Sequence, residues 1–97
     1  MESTNTLFPQ TKFVAEYISE LGLAKAVSKQ LTVVSSELFE VQDAFSQHDN
    51  THTIEEVVDV VHAAQQLIYM IPGGKETYDR VSKEVITKND RRGYYDA

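Results

Sequence analysis

The stretch of sequence that decides the fold is residues 31–45, LTVVSSELFEVQDAF. Its apolar side chains recur at intervals of three and four, as they do along one face of an α-helix. The resulting apolar arc consists of Leu31, Val34, Leu38, Val41 and Phe45, widened by Val33 and Ala44. This spacing predicts an amphipathic helix whose apolar arc is packed against other helices.

A second apolar segment, residues 54–71, follows the polar stretch QHDNTH at 47–52 and ends at the turn formed by residues 72–74, PGG. Its apolar side chains cover most of the helix circumference, which is typical of a helix buried in a bundle or an oligomer. No segment alternates strictly between apolar and polar residues, so we predict no strand. We therefore predict an all-α fold with the second and third helices as a long antiparallel pair. The four predicted helices are roughly 11–21, 24–46, 54–71 and 75–90.

The length of 97 residues indicates one small domain. We expect a flexible N-terminus over residues 1–10, an all-α domain over 11–92 and a C-terminal tail over 93–97. A domain of this size buries only a little over 60% of its unfolded surface. We therefore expect self-association, as a homodimer or a homotetramer.

The composition excludes several classes of protein. There is no cysteine, which excludes a disulfide scaffold, a thiolate zinc site and a cysteine nucleophile. A net charge of −6 opposes binding to nucleic acid. No apolar run approaches the roughly 18 residues of a membrane span, and no signal-peptide pattern is visible. We expect a cytoplasmic protein without a nucleic-acid or membrane partner.

Four carboxylates interrupt the apolar faces of the two long helices. Glu37 lies within the extended arc of the second helix, and Glu40 lies at its edge. Glu56 and Asp59 repeat the same three-residue spacing on the third helix. Carboxylates in such positions are costly unless they are paired, and antiparallel helices direct both pairs toward one interior point. Their hard oxygens suit Mg²⁺ or Mn²⁺ rather than zinc, and such metals support phosphoryl displacement.

Structural alternatives remain open for these residues. Residues 53–56, TIEE, are also typical of a capping box with Thr53 as N-cap and Glu56 at the third helical position. Glu37 and Glu40 can instead pair with lysines across a dimer interface. We interpret His62 as a solvated helix residue rather than an acid or base. The remaining histidines, His48 and His52, are interpreted as loop residues.

The order and spacing of these motifs resemble the MazG-like all-α nucleotide pyrophosphohydrolases. Residues 37–40, ELFE, and, after fifteen residues, 56–59, EVVD, are similar to the ExxE and ExxD signature of that superfamily. Residues 88–94, KNDRRGY, resemble the C-terminal element of its small members. The resemblance spans roughly residues 16–95, and the fold that it implies is a four-helix MazG-like bundle completed by oligomerisation.

The resemblance also implies an activity, namely Mg²⁺-dependent hydrolysis of a nucleoside or deoxynucleoside triphosphate to the monophosphate and pyrophosphate. The metal ligands and catalytic residues that it implies are Glu37, Glu40, Glu56 and Asp59. The implied substrate-binding residues are Lys88, Asn89 and Arg92. For these three, the structural alternative is a basic helix C-terminus that stabilises the helix dipole.

The chain departs from the family pattern at two positions. Ser36 stands where many relatives have a glutamate, and Val85 stands where many have a lysine. Both departures favour a second hypothesis, a MazG-like helical interaction or regulatory module with reduced catalysis. A third hypothesis is a hydrolase similar to the phosphoribosyl-ATP pyrophosphatases, although the short C-terminal element argues against it.

Overall fold

A computed structural model describes residues 7–96 of the chain. It contains four helices and, within those residues, no strand, which confirms the predicted all-α class. The helices are α1 (Lys12–Leu21), α2 (Leu23–Ser46), α3 (Asn50–Met70) and α4 (Gly74–Arg91). Residues 1–6, most of the segment predicted to be flexible, lie outside the described part of the chain. None of the helices in residues 7–96 is both long and apolar enough to cross a membrane.

The start of α3 differs from the prediction by four residues. Asp49 is the N-cap, and its side chain accepts a hydrogen bond of 2.9 Å from the backbone N–H of His52. Thr53 lies inside the helix, where its hydroxyl donates to the carbonyl oxygen of Asp49 at 2.7 Å. Glu56 therefore lies in the second turn of α3. The capping-box interpretation of Thr53 and Glu56 is wrong, because the helix has already begun before them.

The antiparallel pair of α2 and α3 forms the centre of the fold. The side-chain amide of Gln30 on α2 donates to the carbonyl oxygen of Ala63 on α3 at 2.9 Å. Small residues line the seam beside this bond, and Ala26, Ala44 and Ala63 are all buried. Because methyl groups fill little space, the two helix axes can approach closely.

The apolar arc predicted for α2 is only partly covered. Leu31, Leu38 and Phe45 are each more than half exposed. The helix is rotated so that Gln30 and Glu37 lie at the seam, while these three side chains lie to one side of it. The alanines and the Gln30 hydrogen bond allow a close contact between the helices. The larger leucine and phenylalanine side chains would hold the helices further apart.

One end of the α2–α3 pair is covered by α1, and Val14 packs there with Ala26 and Met70. The chain before α1 lies along α3. Gln66, which is 2% exposed, accepts a hydrogen bond from the N–H of Thr11 at 2.9 Å. Its amide donates to the carbonyl oxygen of Pro9 at 3.1 Å.

The last helix, α4, packs against α3 and, within residues 7–96, against neither α1 nor α2. A Cβ atom at Gly74 would lie 2.2 Å from the carbonyl oxygen of Ile68, so glycine is required where α4 crosses the end of α3.

The radius of gyration is 15.6 Å, compared with about 12–13 Å for a compact domain of this length. One chain therefore does not close a four-helix bundle. An open apolar groove of about 580 Å³ lies between α4 and the end of α3. Its lining includes Ile68, Ile71, Tyr78, Val81, Val85 and Ile86.

Candidate metal centre

Three of the four predicted carboxylates meet in the α2–α3 seam. One oxygen each of Glu37, Glu56 and Asp59 lies within 4.8 Å of the others. Glu37 faces Glu56 because the two helices run in opposite directions, and Asp59 follows Glu56 by one helical turn. The spacing argument for these three residues therefore agrees with their observed positions.

Glu40, the fourth predicted carboxylate, lies one turn after Glu37 and is exposed. Glu40 lies close enough to both Glu37 and Glu56 to help raise the pKa of each of them. It therefore belongs to the same cluster, on the solvent side of the two more buried glutamates. Asp59 is exposed as well, so two members of the cluster are accessible from solvent.

The surroundings of the two inner glutamates, Glu37 and Glu56, disfavour their charged forms. Burial, and next the charge of Glu40, raise the pKa of Glu37 above its ordinary value of 4.5. Burial also raises the pKa of Glu56, with further contributions from Glu40 and Asp59. In each of the two glutamates, the Oε2 atom is buried and has no hydrogen-bond partner among the described residues. A buried carboxylate oxygen without a donor is costly, and a bound cation offsets that cost.

His52 is a neighbour of the cluster that the sequence interpretation missed. Its Nε2 atom lies 3.6 Å from Glu56 Oε1, and its Nδ1 atom lies 3.6 Å from Glu55 Oε2. Because α3 begins at Asn50, His52 is a helix residue rather than the loop residue predicted. The i, i+4 spacing between His52 and Glu56 was the available signal, since residues so spaced lie side by side on a helix.

No lysine or arginine lies on α3 or on the part of α2 that carries the cluster. The two lysines of α2, Lys25 and Lys29, lie near its start, and Lys29 Nζ is 4.3 Å from the ring centroid of Tyr17. Residues 30–74 contain seven acidic residues and no lysine or arginine. The facing helix of the same chain, α3, offers no lysine to Glu37 or Glu40. Pairing of these two glutamates with lysines across a dimer interface stays a prediction. Carboxylate oxygens without cysteine or a close set of histidines form a donor set that fits Mg²⁺ or Mn²⁺.

The predicted substrate-binding residues lie elsewhere in the fold. Lys88 and Asn89 belong to the last turn of α4, and Arg92 is its C-cap. Because α4 does not contact α2, one chain does not bring these residues to the carboxylate cluster. The guanidinium of Arg92 lies instead 5.8 Å from the ring centroid of Tyr94. In the isolated chain these residues form a basic helix terminus, as the structural alternative describes.

His62, one turn after Asp59, is partly buried rather than fully solvated. Its ring packs against Phe8 with centroids 5.1 Å apart. The sequence interpretation did not find this contact, because Phe8 lies outside the helical pattern.

Comparison of the chain with known proteins gives no match to a family model, to a curated protein or to a solved structure.

The raised pKa values predict how the stability of the metal-free protein depends on pH. As pH rises from about 4.5 through the raised pKa of Glu37, the unfolded chain releases its proton first, so the folded state loses stability. Thermal unfolding in the presence of a chelator should therefore give a Tm that falls across this window. In Glu37→Gln the fall should be smaller, and the Tm at neutral pH should be higher than in the wild type.

The control for this prediction is Glu55→Gln, a change of an exposed acid on α3 whose side chain is 69% exposed. Its pH dependence should match that of the wild type. A Tm that rises with pH equally in all three proteins would contradict the prediction.

Proposed function

We propose that the protein is a Mg²⁺-dependent pyrophosphohydrolase that converts a nucleoside or deoxynucleoside triphosphate to the monophosphate and pyrophosphate. One observation carries the proposal: Glu37, Glu56 and Asp59 converge within 4.8 Å between two helices. The stretch of chain that holds them, residues 30–74, contains no lysine or arginine. The unpartnered buried oxygens of the two glutamates support it further. The activity itself comes from the resemblance of the two acidic motifs to the MazG-like superfamily.

The donor set fits the proposed cofactor. Glu37 and Glu56 would hold Mg²⁺, or Mn²⁺, from within the helix seam, and Glu40 and Asp59 would extend the set toward solvent. When bound, the metal would polarise phosphate oxygens and make a coordinated water more acidic. The helical seam fixes the two inner carboxylates before any ligand arrives, which is the condition for electrostatic preorganisation. The two exposed carboxylates lie on the side from which a triphosphate can approach.

A triphosphate carries more negative charge than the metal site alone can offset. Arg92 suits bidentate contact with phosphate, and Lys88 can add a point charge. Since α4 of one chain does not reach α2, these residues meet a carboxylate cluster only if a second copy of the chain supplies them.

Self-association is supported by the apolar surface of the isolated chain. The side of α3 turned away from α2 carries exposed Ile54, Val57 and Val61, and the adjacent arc of α2 is exposed as well. Soluble monomers rarely expose an apolar patch of this extent. A homodimer or homotetramer covers such faces by helix-on-helix packing and completes the bundle that one chain leaves open.

A second candidate function is a helical interaction or regulatory module with reduced catalysis. It is favoured by Val85, which lines the apolar groove beside α4 at a position where many MazG-like relatives have a lysine. Ser36, in place of a glutamate next to the cluster, favours it as well. The two candidates differ in a measurable product, because an interaction module releases no pyrophosphate.

A substrate screen tests the proposed activity. Canonical and modified ribonucleoside and deoxynucleoside triphosphates, together with phosphoribosyl-ATP, are incubated with the protein and Mg²⁺ and scored for pyrophosphate. At least one nucleoside triphosphate should yield pyrophosphate and the monophosphate, and a chelator should abolish the release. Release from phosphoribosyl-ATP alone would favour the third hypothesis, and no release from any compound would favour the interaction module.

Metal affinity gives a prediction that does not depend on catalysis. Titration calorimetry with Mg²⁺ or Mn²⁺ should show binding that Glu40→Gln and Asp59→Asn each weaken by about tenfold or more, since each removes a charged donor. Glu55→Gln, outside the cluster on the same helix, should bind as the wild type does. Unchanged affinity in both cluster variants would refute the assignment of the metal ligands.

Variants of the C-terminal element test catalysis independently of metal binding. Arg92→Ala should reduce kcat/KM about tenfold or more, which corresponds to about 1.4 kcal/mol of transition-state stabilisation. Its Mg²⁺ affinity should be unchanged, because Arg92 lies outside the carboxylate cluster. Truncation after Thr87 should act more severely, and full activity in that shortened chain would leave Lys88, Asn89 and Arg92 with a structural role only.

Sedimentation tests self-association. At micromolar concentration the chain should sediment as a dimer or a tetramer rather than as an 11.0 kDa species. Val57→Glu and Val61→Glu introduce charge into the exposed face of α3 and should shift the protein toward the monomer. The matched control is Thr51→Glu, an exposed polar position in the first turn of the same helix. An ideal monomer for the wild type would contradict the prediction.

A further inference from the structure

Several side chains of α3 hydrogen-bond to the backbone of the segment before α1 and hold it against the helix. Gln65 accepts from the N–H of Phe8 at 2.9 Å, and the hydroxyl of Tyr69 donates to the carbonyl oxygen of Phe8. The buried amide of Gln66 pairs with both Pro9 and Thr11. Burial of an amide is costly unless its two ends are paired. These bonds fix the backbone at Phe8 and therefore the position from which the Phe8 side chain extends.

The ring of Phe8 is held on one side only. It packs edge to face with His62, with ring centroids 5.1 Å apart and an interplanar angle of 87°. Phe8 is nevertheless 37% exposed. Phe8 is the least exposed of the four phenylalanines, and side chains of α3 bond both its N–H and its carbonyl oxygen. Its ring is therefore both held in place and accessible to solvent.

The aromatic pair lies next to the carboxylate cluster. His62 follows Asp59 by one turn of α3, a separation of about 5–6 Å between neighbouring Cβ atoms. Phe8 lies on the far side of His62 from Asp59, along the line of α3 marked by Gln65 and Tyr69. In a nucleotide, the base is one sugar away from the phosphates. Gln65, which bonds the backbone of Phe8, follows Asp59 by six residues, or about 9 Å along the axis of α3. A base one sugar away from phosphates at the cluster would extend toward that segment.

We infer that Phe8, positioned by His62, forms a stacking surface for the base of a bound nucleotide. The inference rests on the proposed function, which places the phosphates at the carboxylate cluster. Aromatic stacking accepts any planar heteroaromatic base, because every base has a π-face. Phe8 thus contributes to the affinity for nucleotides as a class, while the carboxylate cluster acts on the phosphates.

A fluorescent variant tests stacking directly. The chain contains no tryptophan, so Phe8→Trp places a single reporter at the proposed surface. The probes are the α,β-methylene analogues of the four canonical deoxynucleoside triphosphates, which resist hydrolysis, and inorganic tripolyphosphate, which has no base. At saturating Mg²⁺, at least one nucleotide analogue should quench the emission, and tripolyphosphate should not.

A matched control and a kinetic variant complete the test. Phe13→Trp places the reporter at a 45% exposed position of α1, which carries no residue of the carboxylate cluster, and there no probe should change its emission. Phe8→Leu should raise KM for the nucleotide substrate about tenfold with kcat little changed, and Phe8→Tyr should restore the wild-type KM. Affinity for tripolyphosphate should be the same in Phe8→Leu and the wild type, and circular dichroism checks that each variant is folded.

The outcomes distinguish this inference from the proposed function. Quenching by an analogue without pyrophosphate release from any substrate would support the stacking surface and reject the hydrolase. Calorimetric binding of the analogues without quenching would overturn the stacking surface and leave the hydrolase intact. Equal quenching by tripolyphosphate would overturn it as well, because the signal would not depend on a base. Absence of binding by all analogues would reject both.

Discussion

The close contact between α2 and α3 is the constraint on which the rest of the structure depends. Alanines at the seam let the helices approach, and the amide of Gln30 ties one helix to a carbonyl of the other. At this separation, one oxygen of Glu37 and one of Glu56 lie between the helices without a donor. The packing that stabilises the pair therefore also holds two carboxylates in an environment that opposes their charge. In the proposed metal centre, the carboxylates that lower the stability of the metal-free fold would be the ones that bind the cation.

Periodicity and local signals were sufficient to locate the four helices. Gly22 marks the turn from α1 to α2, the polar residues 47–49 mark the turn from α2 to α3, and Pro72 marks the turn from α3 to α4. Each of these signals acts locally. The start of α3 was not predictable in this way, because Asp49 and Thr53 are both suitable N-caps. The choice between them depends on the loop geometry, in which His48 adopts a positive φ of 59°.

Tertiary packing determines two features that periodicity does not: which side of α2 faces α3, and where Phe8 lies. The apolar arc predicted for α2 is wider than the surface that the rest of the fold covers. The observed packing buries the side of the arc that carries Ala44 and leaves Leu38 and Phe45 more than half exposed. The carboxylate cluster was still predictable, because Glu37 lies within the predicted arc. The position of Phe8 was not predictable, since its segment has no periodicity and the side chains that bond its backbone lie more than fifty residues away.

The absence of lysine and arginine from residues 30–74 has a consequence for the order of events at the cluster. An anion that approaches this surface is repelled over about 8 Å at physiological ionic strength, whereas a divalent cation is attracted. If the protein acts on a triphosphate as proposed, the free triphosphate would approach against this field, and a triphosphate already complexed with a cation would meet much less repulsion. Cation binding would then come before contact with the phosphates, and the rate of that contact would rise with added salt.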